Sequence, residues 1–510
     1  MKKMNLLVMS LVSAAALSFS SCSSNDDLTG GAGNQSQVKG FYMTLAVQTP
    51  TSNGTRTSIE NPIPTEDATA AEAAVKNGTF YLVDTNGAVV FSKTLTGQDW
   101  TGAIKDQTGS QKDGKTTLKI EVENVAAGAT YKVYFKAGST NMYTVEPFTI
   151  TTGTSKTGVF TTTGITQTFT STSAFAKPCD TDNDFSMFNQ NDATTNGNGY
   201  TVTFTDANKV ETTPAKVMYN NVESAIKIER VTARVDVPTS TEALLGEYPA
   251  NASQALKNAI DDAKKKVSKI ELVRYALSNV TNKTYVMQNW NVANNVWSLA
   301  IPTDAKLSQT KDAFGEKYLL KDGGFKALNG ATNDYIFENN KDEATAMYFE
   351  YKVTLDGNKF EGKADCTDGT FYRYNNVIYT SFEQIMKAYE DVAGLFEGKT
   401  AAQLKSELEK AKEVEGAKDV ETKLSEFRAK YGIEVFNEGK TYYKQVIKDN
   451  QLDKNVIQRN TIYRLKVNKI FNVGAQVPNG EIDKNGLFYL DVTVTVNPWV
   501  LNTQNVELGD

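Results

Sequence analysis

The chain has 510 residues and contains no histidine. That removes Ser-His-Asp and Cys-His nucleophile systems, and the zinc sites built on imidazole. It also removes the usual proton carrier near neutral pH. Paired-carboxylate chemistry of the glycosidase kind stays open, yet among 60 acidic residues no pair stands out by position. No glycine-rich phosphate loop is present. Asp180, Asp182 and Asp184 have the opening spacing of a calcium loop. Phe185 stands where that loop needs glycine, and Asn191 where it needs glutamate. A solvated Asx-rich turn is expected there instead. The expectation is a chain with no catalytic residue, no metal and no cofactor.

Two isolated residues near the N-terminus have chemistry to offer. Cys22 follows a basic start at Lys2 and Lys3 and a short apolar stretch from Leu6 to Phe19. The small residues of "SFSSCSSNDD" look like a lipoprotein signal-peptidase site, with residues 1–21 as the signal peptide. Cys22 would then become the first residue and carry lipid, tethering the chain by acyl burial rather than by a helix. The stretch from Asn25 to Asp27 resembles the surface-export signal of Bacteroidetes lipoproteins. Arg56 is the only arginine before Arg230 and sits inside "TSNGTRTSIENP". The surrounding Ser, Thr, Asn and Gly leave its peptide bond open to a protease. Cys179 and Cys366 are expected as free, partly buried thiols.

The elements around these residues read mostly as strands. Phe41, Met43, Leu45 and Val47 alternate with Tyr42, Thr44, Ala46 and Gln48 directly upstream of Arg56. Phe80–Val83 and Val89–Phe91 flank Asn86-Gly87, a hairpin signal. Leu118, Ile120 and Val122 alternate with charged residues, and Tyr131, Val133 and Phe135 alternate with Lys132, Tyr134 and Lys136. The threonine-rich 150–172 region suits exposed strands. "AIKIERVTARVDVPTS" reads as one strand ending at Pro238, and a domain boundary is placed there. Ser253–Val267 reads as a helix with a lysine-rich end. A helical insertion over about 380–431 opens with a Thr/Ser cap and carries the apolar stripe Leu404, Leu408 and Ala411. It is expected to pack on its domain's sheet. The chain then returns to strands. Ile462, Arg464, Lys466 and Asn468 alternate with Tyr463, Leu465, Val467 and Lys469. Leu490, Val492, Val494 and Val496 follow, and Pro498 is expected to break the last ladder.

Charge is nearly balanced, 54 basic residues against 60 acidic. Nucleic-acid binding wants a concentrated basic face and is not expected. After the N-terminus no apolar run reaches the roughly 18 residues of a membrane span.

The ordered set "FSSCSS", "IERVTARVDV", "EGKTYYKQVI" with "VIQRNTIYRLKVNKI", and "VTVTVNPWVLNTQNVEL" resembles the type V pilins (fimbrillins) of Bacteroidetes, in particular the major subunit of the short fimbria. The resemblance spans most of the chain, and the helical insertion has no residue-by-residue match in it. It implies an all-β fold with that insertion, built as two transthyretin-like β-sandwich domains. It divides the chain into a 22–56 propeptide, an N-terminal domain at 57–237 and a C-terminal domain at 238–510. It further implies a lipoprotein precursor at the outer membrane, cut between Arg56 and Thr57 by an arginine-specific surface protease. The strand of Phe41, Met43, Leu45 and Val47 would leave with the propeptide. A tail from about 498, with Trp499, Val500, Leu501, Val506 and Leu508, would fill the groove of another copy. A head-to-tail, non-closing contact of that kind makes a filament. Expected partners are further copies, anchor and tip subunits, and the protease, in a surface fimbria serving adhesion and biofilm formation. A never-cleaved surface glycan-binding lipoprotein is the main rival. It would need exposed platforms among Tyr and the four tryptophans Trp100, Trp290, Trp297 and Trp499. An anchor or tip role in the same fimbria is the other alternative.

Overall fold

The computed structural model describes residues 40–48, 66–68, 78–96, 115–138, 185–191, 199–240, 247–293, 296–308, 325–413, 420–449, 453–478 and 490–501, with short pieces at 99, 104–105, 151–152, 158–159 and 168–170. Strands dominate. The first group is β1 (Phe41–Gln48), β2 (Glu66–Ala68), β3 (Gly78–Val83), β4 (Val89–Leu95), β5 (Lys115–Val122), β6 (Thr130–Ala137), β7 (Met187–Asn189), β8 (Tyr200–Thr203), β9 (Ala215–Tyr219) and β10 (Ile226–Arg230). All but β2 belong to one sheet, in the order β9-β8-β6-β7-β10-β1-β5, with β3 and β4 added at β6. A further pairing of β1 with β9 folds this sheet onto itself. Inside lie Phe80, Leu82, Val133, Phe135, Phe188, Val202, Phe204, Ile226 and Ile228, all fully buried. The β3–β4 turn forms where Asn86-Gly87 predicts it. Gly87 takes φ 82°, and the Asp84 carboxylate accepts from the amides of Asn86 and Ala88 at 2.8 Å.

The second group is β11 (Ala233–Val235), β12 (Val267–Ser278), β13 (Asp334–Ile336), β14 (Ala346–Leu355), β15 (Phe371–Tyr374), β16 (Val377–Tyr379), β17 (Glu434–Phe436), β18 (Lys440–Val446), β19 (Thr461–Ile470) and β20 (Leu490–Leu501). One sheet runs β2-β20-β19-β11-β13, and a facing sheet runs β12-β14-β18. Their shared core holds Val235, Ile336, Tyr463, Leu465 and Val467 from the first, and Tyr275, Leu277, Phe349, Tyr351 and Val353 from the second. The fold is thus mainly β, with two sandwich cores. Among the described residues no helix is long and apolar enough to cross a membrane.

Helix α1 (Gln254–Lys266) is capped by Ser253, whose hydroxyl accepts from the Leu256 amide. Helices α2 (Phe382–Ala388), α3 (Ala401–Lys412) and α4 (Val420–Tyr431) occupy the expected insertion. Ser381 caps α2, and Thr400 with Gln403 forms a capping box on α3. Leu404 and Leu408 are buried with Phe382, Leu424 and Phe427 against Tyr372 and Val435 of the small sheet β16-β15-β17. The insertion packs on a sheet, as the apolar stripe suggests.

Four readings from the sequence are corrected. "AIKIERVTARVDVPTS" is two strands, β10 in the first sheet and β11 in the second. Between them Val231 donates to the Ser186 carbonyl at 3.2 Å and the Thr232 carbonyl accepts from Asn460 at 2.8 Å, so the backbone changes partners there. The alternation through β6 does not divide a buried face from an open one, since Tyr134 and Lys136 are buried along with Tyr131, Val133 and Phe135 on this interior strand. Tyr134 stacks with Phe188, ring centroids 6.0 Å apart. A register shift between Val467 and Lys469 turns Lys469 outward and buries Ile470. Finally, Pro498 does not end the last strand, which continues to Leu501.

Candidate strand-exchange site

β1 is enclosed on both edges. Along one side all eight of its residues pair antiparallel with β5, from Phe41 opposite Val122 to Gln48 opposite Lys115. Along the other side Met43 and Thr44 pair parallel with Ala215 and Lys216 of β9. Further along the same edge, Val47 and Gln48 pair parallel with Ile226 and Lys227 of β10. One short strand therefore closes the gap between three others. Phe41, Met43, Leu45 and Val47 are 3%, 0%, 0% and 1% exposed. Ala46, on the opposite phase, is also buried, at 8%. The alternation was legible because a strand presents successive side chains to opposite faces. The parallel partners lie far down the chain and leave no local signal.

The strand's start is fixed by rings and charge. Phe41 meets Phe204 edge-on, and Lys209 lies over the Phe41 ring, its Nζ 5.4 Å from the centroid. The Glu121 carboxylate beside Tyr42 raises that phenol above its ordinary range. A Cβ on Gly40 would stand 2.7 Å from Oε1 of the exposed Glu121 side chain, which would have to move aside, and 3.1 Å from the Val122 carbonyl oxygen. Removing β1 would uncover the apolar floor and two rows of unpaired backbone groups. Restoring four such side chains is worth roughly 6–12 kcal/mol, as an upper figure.

At the other end of the chain, β20 pairs antiparallel with β19 from Leu490 opposite Ile470 to Pro498 opposite Thr461. Beyond Pro498 the strand finds a new neighbour. Trp499, Val500 and Leu501 pair parallel with Glu66, Asp67 and Ala68 of β2. Proline ends the pairing with β19, which it cannot extend as a donor, while β2 carries the ladder three residues further. The expected donor residues Trp499, Val500 and Leu501 are thus held within their own chain, by a segment downstream of Arg56. Val506 and Leu508 lie outside the described residues, as do Cys22, Arg56, Thr57, Cys179, Trp100 and the aspartates at 180, 182 and 184. Phe185 and Asn191, the two departures from a calcium loop, are buried. Trp290 is 7% exposed and offers no sugar platform. Cys366 is a half-buried free thiol, its Sγ 3.8 Å from the Tyr372 hydroxyl.

A second structural feature has no counterpart in the sequence reading. At the end of β10 the two cores meet through Val286, Met287, Phe337 and Ile462, which complete the first core from the second half of the chain. Buried charges sit at this junction. Arg459 pairs with Glu338 at 2.8 Å, and neither side chain is exposed. Arg459 also donates to the Val286 carbonyl at 2.8 Å, and Gln288 donates to Glu338 at 2.7 Å. Glu229, 1% exposed, has an Oε1 with no hydrogen-bond partner. Burial pushes its pKa up to about 8, Arg459 pulling it down and Glu338 adding to the rise.

The architecture is that of a double β-sandwich whose first strand plugs a three-sided gap and whose last strand lies near a sheet edge. Residues 434–505, from β17 through β20 and just beyond, match the family described as "Major fimbrial subunit protein type IV, Fimbrillin, C-terminal". The C-terminal region thus carries the pattern of the fimbrillin C-terminal family, in keeping with the resemblance to the type V fimbrillins. No curated protein matches the chain. Among solved structures it is similar to a candidate cell adhesion protein of Parabacteroides distasonis ATCC 8503, at 13% identity and TM-score 0.44, covering 92% of this chain and 100% of that one. A second candidate cell adhesion protein of the same organism has 12% identity and TM-score 0.42, covering 90% and 99%. The fimbrial anchor protein Mfa2 of Porphyromonas gingivalis has 9% identity and TM-score 0.25, covering 90% and 99%. Likenesses this distant carry no argument about what this chain does.

Proposed function

We propose that this chain is the structural shaft subunit of a cell-surface fimbria. It is exported as a lipoprotein with lipid on Cys22 and held at the outer membrane until an arginine-specific protease cuts between Arg56 and Thr57. The released piece carries β1, and the emptied gap between β5, β9 and β10 takes a strand from the tail of the next copy. The observation that supports this best is the enclosure of β1, whose four alternate apolar residues are at most 3% exposed. A strand so placed is integral to its sandwich yet precedes the lone arginine, so one cut separates it covalently from the body it completes. An open gap of that kind does not stay empty. The pairing of Trp499–Leu501 with β2 adds one requirement: the tail must leave β2 before it can be donated.

The test is N-terminal sequencing with intact mass on protein sheared from the cell surface. A start at Thr57 in high-mass, SDS-resistant material is expected. A lipidated start at Cys22 in monomeric material overturns the shaft role and favours an anchor or an uncut glycan-binding lipoprotein.

A further inference from the structure

A cavity of about 660 Å³ opens where α1, α2 and the 357–363 segment meet. It lies in the second sandwich, at the root of the helical insertion, and owes nothing to the strand-exchange reading. Its size is that of an ordinary small-molecule site.

The walls are ordered by one lysine. Lys266, the last residue of α1, pairs with Asp262 at 2.7 Å and donates to the Ile378 carbonyl at 2.7 Å. Its Nζ stands 5.6 Å from the Phe360 ring centroid and 5.4 Å from that of Tyr379. Both rings line the cavity beside that ammonium. On the α2 side, Gln384 bridges the Glu361 carbonyl at 2.7 Å and the Thr380 hydroxyl at 2.8 Å, tying the loop to the helix. Lys387 pairs with Glu361 at 2.9 Å.

The charges that line the cavity are uneven. Lys266 is paired with Asp262 and Lys387 with Glu361, which leaves Lys359 and Lys363 against Glu383 in the lining. Lys359 and Lys363 are exposed and have no ion pair among the described residues. A net positive lining stands out on a chain whose formal charge is −6. Lysines supply point charges rather than the planar fork of arginine, and their reach suits a single carboxylate or sulfate. Rings alone would suit any apolar ligand, and lysines alone any anion. Together with the Ser381 hydroxyl in the lining they fit a ring that has an apolar face, hydroxyls and one negative group.

We infer that this cavity binds an anionic sugar unit, a uronic acid or sulfated hexose within a polysaccharide. The experiment is titration of the purified full chain with polygalacturonate, neutral dextran and poly-L-glutamate at low and high salt. It is repeated with the double variant Lys359→Gln, Lys363→Gln. The two lysines are exposed and unpaired, so the variant is expected to melt like the parent. Polygalacturonate should bind, dextran should not, and the double variant should bind about tenfold more weakly, with added salt weakening the parent. The inference fails if polygalacturonate does not bind, if dextran binds equally, or if the double variant binds undiminished. Equal or tighter binding of polyglutamate also overturns it and makes the cavity a site for acidic peptide.

Discussion

Phe41 and Phe204 meet edge to face, with ring centroids 5.5 Å apart and planes at 66°. Phe204 meets Tyr131 in the same way, 5.9 Å apart at 61°. The first of these rings lies upstream of Arg56, and the other two belong to the body of the sandwich. The contact thus joins the piece proposed to be removed to the floor it leaves behind.

Substitution at these two positions separates their roles. Phe204→Ala is expected to cost about 3–5 kcal/mol in the uncut chain and to weaken the strand-exchanged filament too, because the floor is common to both. Phe41→Ala should cost a similar amount in the uncut chain and leave the filament unchanged. Urea denaturation of the uncut protein, with SDS resistance of the filament, reads both. Equal weakening of the filament by the two variants would contradict the removal of β1.

The junction ion pair should behave as a buried pair does. Glu338→Ala leaves the Arg459 guanidinium buried without its carboxylate and is expected to cost about 3–5 kcal/mol. Adding Arg459→Met should recover part of that loss, since the orphaned charge is gone. A double-mutant cycle by chemical denaturation measures the coupling.

Glu229 makes stability depend on pH in the direction opposite to a salt-bridged carboxylate. Its pKa in the folded chain is about 8 against an ordinary 4.5. Between those values the folded protein keeps a proton that the unfolded chain has released. Stability should therefore fall as pH rises from about 4.5 to about 8, by up to about 1.4 kcal/mol per unit from this group. Glu229→Gln, which fixes the neutral form, should flatten that part of the profile in denaturation midpoints taken across the window.

Limited digestion with an arginine-specific protease should give one product beginning at Thr57. The chain has eight arginines, and Arg56 lies outside the described residues. The other seven are engaged. Arg230 bonds Asn460, and Arg234 and Arg464 pair with Asp236. Arg274 pairs with Glu350, Arg373 and Arg428 with Glu434, and Arg459 with Glu338. Six of these lie in strands or a helix, and Arg459 is buried. Arg56→Ala should leave the chain whole, as read by intact mass. Early cuts at Arg428 or Arg464, the most exposed of the seven, would refute the protection.

The local pattern of the chain settled which residues face inward along β1, where the β3–β4 hairpin turns, and where α1 and the insertion begin. Those features depend on side-chain period, on turn geometry and on caps, all of which act over a few neighbouring residues. The match at 434–505 lies in the same alternating strands that carried the resemblance. Partners across the chain were decided only by the tertiary structure. The parallel seating of β1 against β9 and β10 requires closure of a long loop, and no local pattern encodes which edge will receive the strand. The split of one apolar run into β10 and β11, the burial of Tyr134 and Lys136, and the continuation of β20 past Pro498 onto β2 have the same cause. Each depends on what packs against a face or an edge, which packing of the whole chain decides. The buried charges at the junction complete the case. Nothing in the local sequence marks Glu229, Glu338 and Arg459 as buried, and only the meeting of the two cores removes them from water.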